Sequence, residues 1–294
     1  MRCTLGVDVG TSSSKGVLVT EDGTILASAT RAHEVDRPHT GWVEMDGRVW
    51  WDEFVAITRE LLAAEPAARI VGVGVSGMGP CILLADEHDE PVRPAILYGV
   101  DTRATAQVTR MTAELGEDEI TRIGGSVLTS QAGGPKIAWV AEEEPAAWAR
   151  AARLFMPASW LVRRLTGAYV LDHQSASQVS PLYDIEHERW HDLWWQRYAA
   201  SVEQPPLAWA DEIAGTVTAE AAAATGLPVG TPVITGTIDA WTEAVSVGAH
   251  GDGDLMLMYG TTMFLIATGT ETLRTASMWT TAGAFAGSRN LAGG

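Results

Sequence analysis

Short apolar segments alternate with longer amphipathic segments along most of this chain, and this alternation limits the possible folds more than any other feature. Residues 5–9, 15–20 and 70–75 are short and apolar, which is typical of buried strands. Residues 48–65 place large apolar side chains three or four positions apart, which predicts an amphipathic helix with Asp46 as its N-cap. Strands that alternate with helices in this way predict an α/β protein.

The charge balance excludes several classes of protein. The 294 residues include 37 acidic and 20 basic side chains, a formal net charge of −17, with no patch of lysine and arginine that would attract a phosphate backbone. A nucleic-acid partner is therefore excluded, and an anionic membrane surface is disfavoured for the same reason. No apolar run approaches the ~18 residues of a membrane-spanning helix, and no signal-peptide pattern follows Met1. Because Cys3 and Cys81 cannot build a disulfide framework, the predicted location is the reducing cytoplasm.

A glycine- and aspartate-rich segment, residues 248–254, predicts a boundary between two domains. Beyond it, residues 255–262 resemble residues 5–12, since in both an apolar strand leads into Gly-Thr and a further hydroxyl residue. The chain that remains is too short for a second copy of the first domain. The sequence therefore predicts a complete domain over residues 1–248 and an incomplete second domain over residues 249–294, as in a truncated protein.

Residues 8–15, Asp-Val-Gly-Thr-Ser-Ser-Ser-Lys, form the strongest local motif. The strand ends near Asp8, and the following glycine and hydroxyl residues expose backbone N–H groups that can surround phosphate oxygens while the carboxylate holds Mg²⁺ directly or through water. A plain β-hairpin turn uses the same residue types, so both interpretations remain open for this segment alone. The similar residues 260–262 favour phosphate binding, because two facing hairpins can clamp one polyphosphate.

Two further loops follow strands, at the positions where α/β proteins usually bind ligands. The first contains Met78, and the second contains Asp101 and Arg103 two positions apart. An Asp–Arg pair suits polyol hydroxyls because the carboxylate accepts hydrogen bonds and the guanidinium donates them. For the pair alone, a helix cap or a surface ion pair is the simpler explanation. Trp42, in a polar loop, is the best candidate for a surface on which a sugar stacks.

Asp239 directly follows a buried strand and a glycine turn. It is predicted to lie in the first turn of the next helix, where the helix dipole favours an ionised carboxylate. An aspartate that faces a cleft from this position can accept a proton from a substrate hydroxyl. Stabilisation of the helix start, worth ~0.3–1 kcal/mol, explains the same residue without catalysis, and the position alone does not separate the two roles.

Eight segments of the chain carry a family resemblance when they are taken together. They are Asp8-Val-Gly-Thr11, Gly41-Trp-Val-Glu44, Ser76-Gly-Met78, Asp101-Thr-Arg103, Pro135-Lys-Ile-Ala-Trp139, Arg164-Leu-Thr-Gly167, Gly236-Thr-Ile-Asp239 and Gly260-Thr-Thr262. In order and spacing they resemble the FGGY carbohydrate kinases over essentially the whole chain. The resemblance implies a ribonuclease-H-like lobe of the actin/hexokinase/Hsp70 superfamily and the start of a second, similar lobe. The implied activity is ATP-dependent phosphorylation of a ketopentose or polyol hydroxyl.

The same resemblance implies a role for each candidate residue. Asp239 matches the catalytic base, and Asp8 matches the residue that helps to hold Mg²⁺. The implied substrate-binding residues are Met78, Asp101, Arg103 and Trp42. The implied ATP-phosphate residues are Gly10, Thr11, Ser12 and Lys15 in the first turn and Gly260, Thr261 and Thr262 in the second. The implied partner is a small sugar or polyol, and a homodimer is left open.

Two departures from the family pattern bear on function. Many xylulose kinases have Gln-Met-His-Gly where residues 77–80 here are Gly-Met-Gly-Pro, so the histidine that would contact the sugar is absent. The later adenosine-binding segment of the family is absent as well. The chain on its own is therefore expected to be inactive, and the alternative function is a catalytically incomplete sugar-binding fragment or a degenerate kinase without turnover. An actin-like filament protein is disfavoured, because filament formation does not require the loops that carry Asp101 and Asp239.

Overall fold

The computed structural model describes residues 1–259, 263–275 and 277–294, and its elements confirm the predicted α/β class. The strands are β1 (Arg2–Val9), β2 (Ser13–Thr20), β3 (Ile25–Ala32), β4 (Glu44–Met45), β5 (Arg69–Gly77), β6 (Leu83–Ala85), β7 (Ala95–Ile96), β8 (Arg153–Phe155), β9 (Leu171–Asp172), β10 (Tyr183–Asp184), β11 (Arg189–Trp190), β12 (Leu207–Ala208), β13 (Ile213–Thr216), β14 (Pro232–Ile234), β15 (Thr237–Ile238), β16 (Leu255–Tyr259), β17 (Met263–Gly269), β18 (Trp279–Ala282) and β19 (Arg289–Gly293). The helices are α1 (Gly47–Ala64), α2 (Thr105–Leu115), α3 (Glu117–Gly124), α4 (Gly133–Glu143), α5 (Pro145–Trp148), α6 (Pro157–Thr166), α7 (His173–Ser177), α8 (Asp192–Tyr198), α9 (Ala219–Thr225) and α10 (Asp239–Ser246). Among the described residues, no helix is both long enough and apolar enough to span a bilayer.

The larger sheet brings the carboxyl ends of three strands side by side. Within the described part of the chain it has seven strands, in the order β13-β14-β5-β1-β2-β3, with β15 also paired to β5. Strands β1, β2 and β3 are antiparallel, whereas β5 runs parallel to β1, β14 and β15. Strands β1, β5 and β15 therefore end at the same edge, and loops from distant parts of the sequence meet there.

Helix α1 packs against this sheet, as its periodicity predicts. Asp46 is its N-cap, and the side chain accepts a hydrogen bond from the Arg48 amide at 2.9 Å. Trp50 and Ile57 are fully buried, and each such side chain contributes roughly 1.5–3 kcal/mol through burial. A Cβ at Gly16 of β2 would overlap the Ile57 side chain, so the glycine allows the helix to lie close to the strand.

A smaller sheet follows, with the strand order β16-β17-β19-β18. Strands β16 and β17 form an antiparallel hairpin as β1 and β2 do, which confirms the predicted repeat of the strands. The turn between them, Gly260, Thr261 and Thr262, lies outside the described residues. Trp241 of α10 donates a hydrogen bond from Nε1 to Asn290 Oδ1 of β19 at 3.0 Å, which joins the smaller sheet to the site edge of the larger one. The domain boundary after residue 248 remains a prediction.

Candidate active site

Two carboxylates, Asp8 and Asp239, come close to each other at the edge where β1, β5 and β15 end. Asp8 is the penultimate residue of β1 and lies opposite Ser76 of β5 in the parallel ladder. Ser76 also lies opposite Thr237 of β15, two residues before Asp239. The sheet therefore brings together two acids that are far apart in the sequence.

The Asp8 carboxylate has a polar, partly buried environment. Its Oδ1 accepts a hydrogen bond from Ser76 Oγ at 2.7 Å, and Lys15 lies opposite it on the neighbouring strand β2. Burial raises the pKa of Asp8 above its ordinary value, while the Ser76 hydrogen bond and the Lys15 charge act in the opposite direction. Lys15, predicted as part of the phosphate turn, belongs to the strand and has an exposed side chain.

A glycine turn places Asp239 at the first position of α10, as the sequence predicts. Gly236 has a φ of 70°, and a Cβ there would overlap the Val75 carbonyl oxygen of β5, so glycine alone fits between β14 and β15. The Ala240 N–H group donates a hydrogen bond to Asp239 Oδ1 at 2.7 Å. This bond and the helix dipole orient the carboxylate at the start of the helix.

Asp239 titrates near neutral pH. Burial, followed by the negative charge of Asp8, raises the pKa of Asp239 to about 7. The Ala240 hydrogen bond opposes this shift, and the charge of Glu243 adds to it. A carboxylate with a pKa near 7 is a stronger base than an ordinary aspartate and is still ionised in part at neutral pH. This environment suits an aspartate that accepts a proton from a bound hydroxyl.

The raised pKa of Asp239 makes a prediction about stability. In the unfolded chain Asp239 ionises at its ordinary pKa, whereas in the folded chain burial disfavours the ionised form. Ionisation of Asp239 therefore lowers the free energy of unfolding as the pH rises from about 4 to 7. The variant Asp239→Asn is therefore expected to be more stable than wild type at pH 8, by on the order of 4 kcal/mol, and nearly equal to it at pH 4. Urea unfolding of both proteins in EDTA, between pH 4 and pH 8, measures the difference.

An exposed aspartate provides the control for this measurement. Asp52 lies in α1 with its side chain in solvent, so Asp52→Asn is expected to change stability by less than about 0.5 kcal/mol throughout the range. A gain in Asp239→Asn that did not grow with pH would show that Asp239 is not held at an elevated pKa.

A cavity of about 660 Å³ opens in front of Asp239. This volume lies within the roughly 300–1,000 Å³ that is typical of small-molecule sites. The described residues that line it include two acids, Asp239 and Glu243, and no lysine or arginine. The full lining is Thr11, Met78, Gly79, Tyr98, Gly99, Val100, Thr129, Ser130, Gln131, Ile238, Asp239, Ala240, Trp241, Glu243, Met258, Phe264 and Trp279.

Some of the residues predicted from the sequence meet at this cavity. Asp239, Met78 and Thr11 line it, and Asp8 acts on Asp239 through its charge. Gly10, Thr11 and Ser12 form the turn between β1 and β2, which places the predicted phosphate loop beside the predicted base. The roles of these residues stay predictions, but their positions are mutually consistent.

Asp101, Arg103 and Trp42 lie outside the cavity lining, in a buried ion-pair cluster. Arg103 donates from Nη2 to Asp101 Oδ2 at 2.7 Å and from Nη1 to Glu44 Oε1 at 2.6 Å. The side chains of Asp101 and Arg103 are fully buried. The guanidinium carbon lies 4.2 Å from the ring centre of Trp42 and 5.0 Å from that of Trp139. Direct contact between the three predicted residues and a sugar stays a prediction, and this packing disfavours it.

Tyr98 and Gln131 line the cavity although no sequence motif singles out their side chains. The Tyr98 hydroxyl lies 3.1 Å from Thr11 Oγ1, which connects the wall of the cavity to the turn between β1 and β2. Gln131 Oε1 accepts a hydrogen bond from the Gly99 amide at 2.8 Å. The only sequence signal for Gln131 is the polar run that precedes the Pro135-Lys136 motif.

Lys136 holds the strand end that carries Tyr98. Its side chain is almost fully buried, and Nζ donates to the carbonyl oxygens of Leu97 at 2.5 Å and Tyr98 at 2.7 Å. Burial lowers the pKa of Lys136 to about 8, an effect that nearby Cys81 and Asp101 partly offset. The ammonium group therefore ties α4 to the cavity wall, which accounts for the lysine in the Pro-Lys motif.

His33 holds the turn between β1 and β2 in place. Its Nε2 donates to the Gly10 carbonyl oxygen at 3.0 Å, and its Nδ1 lies 2.9 Å from Glu53 Oε2 of α1. The imidazole is largely buried. Because the turn is held by a helix that packs on the sheet, its backbone has a defined position relative to Asp239.

Comparison with known proteins places the chain in a family. The model of the FGGY family of carbohydrate kinases, N-terminal domain, matches residues 3–246, well over half of the chain. The chain belongs to the FGGY family of carbohydrate kinases. This FGGY chain is similar to the xylulose kinases of Escherichia coli K12, at 30% identity over 258 residues, and Bacillus subtilis 168, at 27% over 269 residues. Its structure resembles the crystal structure of xylulose kinase from Rhodospirillum rubrum, with a TM-score of 0.93 at 29% identity, which confirms the ribonuclease-H-like fold of the actin/hexokinase/Hsp70 superfamily.

The FGGY chain spans about half the length of the curated relatives it matches. The alignment covers 87% of this chain and 52% of the Escherichia coli enzyme, and 91% of this chain and 54% of the Bacillus subtilis enzyme. The superposition covers 99% of this chain and 60% of the Rhodospirillum rubrum chain. The family and the fold are therefore established for this chain, whereas the activity of a whole kinase is a proposal that has to be tested.

Proposed function

We propose that this chain contributes the acceptor-binding part of a kinase that uses ATP to phosphorylate a hydroxyl of a ketopentose or polyol. The observation that carries the proposal is the position of Asp239, a carboxylate with a pKa of about 7 on the wall of a sugar-sized cavity. In this proposal residues 1–248 form the sugar-binding lobe, and residues 249–294 belong to the ATP-binding lobe. Similarity to xylulose kinases supports the ketopentose as the first acceptor to test.

The proposed chemistry is an in-line phosphoryl transfer. Asp239 accepts the proton of the acceptor hydroxyl as that oxygen forms a bond to the γ-phosphorus of ATP. The bond from this phosphorus to the oxygen that bridges the β- and γ-phosphates breaks, and ADP leaves. The protein supplies orientation and a base, because little covalent chemistry is required of it.

The residues around Asp8 fit a magnesium ion that is shared with phosphate. Asp8 would help to hold the ion, and the ion's positive charge would relieve the repulsion between the carboxylates of Asp8 and Asp239, each of which has a raised pKa. The described residues hold no cluster of three or more His, Cys, Asp and Glu that would form an all-protein cage. This matches Mg²⁺, which is usually held by one or two carboxylates, water and substrate phosphates. When bound, Mg²⁺ supplies charge neutralisation at the transferred phosphate.

The first turn would contact the phosphates. Thr11 lines the cavity, and the neighbouring Gly10 and Ser12 place their backbone in the same turn. Turns of this kind bind anions through successive backbone N–H groups. The resemblance assigns Gly260, Thr261 and Thr262 to a second such turn, and that role remains part of the proposal.

Binding and turnover are tested together with one panel of acceptors. Calorimetry with D-xylulose, D-ribulose, xylitol and glycerol measures binding, and ADP formation with Mg-ATP measures transfer. We expect at least one five-carbon acceptor to bind the chain, and in the complete enzyme to cause ADP formation that is absent without it. At about 100 times its dissociation constant, a bound acceptor also adds ~2.7 kcal/mol to the stability of the folded chain.

The second candidate function, a sugar-binding unit without turnover, has its own outcome. Comparison of the lengths favours this second function for the chain on its own, since the matched part of each curated relative is about half of that protein. Acceptor binding without ADP formation would support this second function. If no acceptor bound and ADP formation did not depend on any acceptor, both functions would be wrong. A cytoplasmic location and a homodimer also remain predictions, and sedimentation velocity tests the second.

A further inference from the structure

A second, smaller cavity adjoins the one in front of Asp239. It has a volume of about 30 Å³ and shares Thr129, Gln131 and Trp279 with the larger cavity, so the two lie side by side. We call the smaller cavity the polar annex, because Gln178, Ser180 and Thr281 line it in addition to the shared residues. Its volume accommodates one or two groups of the size of a water molecule or a hydroxymethyl group.

Three buried polar atoms at the annex have no partner within the described part of the protein. They are Gln178 Nε2, Ser180 Oγ and Thr281 Oγ1. Their residues are only 7%, 7% and 4% exposed, so bulk water does not solvate them freely. A buried polar group without a hydrogen bond costs roughly 1–3 kcal/mol, and three such groups around one cavity are unusual. Three residues that line the annex therefore each carry a buried polar atom without a hydrogen-bond partner among the described residues.

Other polar side chains that line the annex do have hydrogen-bond partners, in contrast to these three atoms. Ser126 also lines the annex, and its Oγ accepts a hydrogen bond from the Thr280 amide at 2.7 Å. Ser177 Oγ accepts a hydrogen bond from the Ala282 amide at 3.1 Å. These two serines hold β18 against the larger domain. The unpartnered atoms are thus not a general consequence of loose packing along β18.

The backbone of α3 leaves space beside one of the unpartnered groups. Gly124 lines the annex, and a Cβ at this position would lie 2.7 Å from Ser180 Oγ. A side chain at residue 124 would therefore occupy the space that the Ser180 hydroxyl faces. The absent side chain keeps the annex open.

The chemistry of the lining defines what the annex can bind. The described residues that line it carry amides and hydroxyls and no ionisable side chain, and the larger cavity adds two acids and no lysine or arginine. A carboxylate or phosphate would find no cation here and would be repelled by Asp239 and Glu243. A neutral hydroxyl suits the lining better, because it accepts from Gln178 Nε2 and can donate to either side-chain hydroxyl.

We propose that the annex is a subsite for the uncharged, hydroxyl-bearing end of the acceptor, the end opposite the hydroxyl that faces Asp239. The site then prefers acceptors that end in a hydroxymethyl group over those that end in a methyl group or a carboxylate. The inference rests on the proposed function, since Asp239 defines which hydroxyl reacts. Gln131 and Trp279 line both cavities and therefore lie between the reacting end and the annex.

Three acceptors and two variants test the subsite. D-xylulose, 1-deoxy-D-xylulose and D-xylonate carry a hydroxymethyl, a methyl and a carboxylate at the end away from their common primary hydroxyl. The variants Thr281→Val and Ser180→Ala each remove one hydroxyl of the annex. Thr58→Val is the matched control, because Thr58 Oγ1 is also buried without a partner among the described residues but lies in α1, away from both cavities. Calorimetry measures the dissociation constants for the full chain.

We expect the effect of each variant on affinity to depend on which acceptor is bound. D-xylulose binds wild type most tightly, and Thr281→Val or Ser180→Ala weakens it about 3–10-fold, the effect of one lost hydrogen bond. The same variants change the affinity for 1-deoxy-D-xylulose less than twofold, and Thr58→Val changes neither. D-xylonate binds more weakly than D-xylulose to every protein. Thermal melting without ligand is expected to show no loss of stability in Thr281→Val, because the removed hydroxyl has no protein partner.

Several results would overturn the inference. Equal weakening of D-xylulose and 1-deoxy-D-xylulose, or no weakening of either, would show that the annex holds only structural water. Preferred binding of D-xylonate would show that the acceptor end is anionic. If D-xylulose binds and is phosphorylated while the variants have no effect, the subsite is wrong and the proposed kinase function stands. If none of the three acceptors binds wild type, the proposed acceptor class and the subsite are both wrong.

Discussion

In the complete enzyme that contains this chain, Asp239→Asn is expected to lower turnover about 1,000-fold while acceptor affinity changes only a few-fold. The amide keeps the shape of the side chain and its oxygen can still accept the Ala240 hydrogen bond, so the start of α10 stays in place. It cannot accept a proton, and general-base catalysis is typically worth 10²–10⁴-fold. Single-turnover ADP formation and acceptor calorimetry, measured on the same preparations, separate the loss of chemistry from a loss of binding.

A second aspartate at a helix start is the matched control. Asp192 is the first residue of α8, as Asp239 is of α10, but its side chain is exposed and does not line the cavity. If Asp239 only stabilised its helix, Asp192→Asn and Asp239→Asn would have similar, small effects. Substantial turnover in Asp239→Asn would contradict its role as the base. Equal losses in both variants would point to the helix start instead.

The position of Asp239 could be predicted from the sequence because every step of the prediction is local. A buried strand, a glycine and an acid follow each other between residues 233 and 239, and the structure keeps that order as β14, β15 and α10. The hairpin of β1 and β2, which carries Asp8 close to its turn, is likewise formed by neighbouring segments of the chain. Both acids lie at one edge of the sheet because β1, β5 and β15 pair in parallel. A general rule for α/β sheets, that ligands bind at the carboxyl ends of the strands, predicts this meeting point.

The cavity wall could not be predicted in the same way, because it depends on contacts between distant segments. Tyr98 reaches the cavity through its hydroxyl contact with Thr11, and Gln131 through its hydrogen bond to Gly99. No pattern around either side chain encodes these contacts. Similarly, the spacing of Asp101 and Arg103 predicts a pair but not its surroundings. Glu44, from a separate segment, makes that pair part of a buried cluster.

That cluster leads to the largest expected effect on stability. Arg103→Met removes the guanidinium that lies between Asp101 and Glu44 and leaves two carboxylates in a buried environment without their shared partner. Loss of one member of a buried ion pair typically costs about 3–5 kcal/mol, because the remaining charge is uncompensated. We expect a loss of this size in the free energy of unfolding, measured by urea denaturation at pH 7. Arg93, which also pairs with Glu44, offsets part of the remaining charge.

The same variant distinguishes the structural role of Arg103 from a role in binding. Arg122→Met is the control, since Arg122 pairs with Glu119 on the exposed surface of α3 and is expected to change the free energy of unfolding little. At a temperature where Arg103→Met is still folded, its affinity for D-xylulose is expected to stay within about threefold of wild type, because Arg103 does not line the cavity. A loss of acceptor affinity without a loss of stability would contradict this assignment. It would instead favour the direct sugar contact that the spacing of Asp101 and Arg103 first indicated.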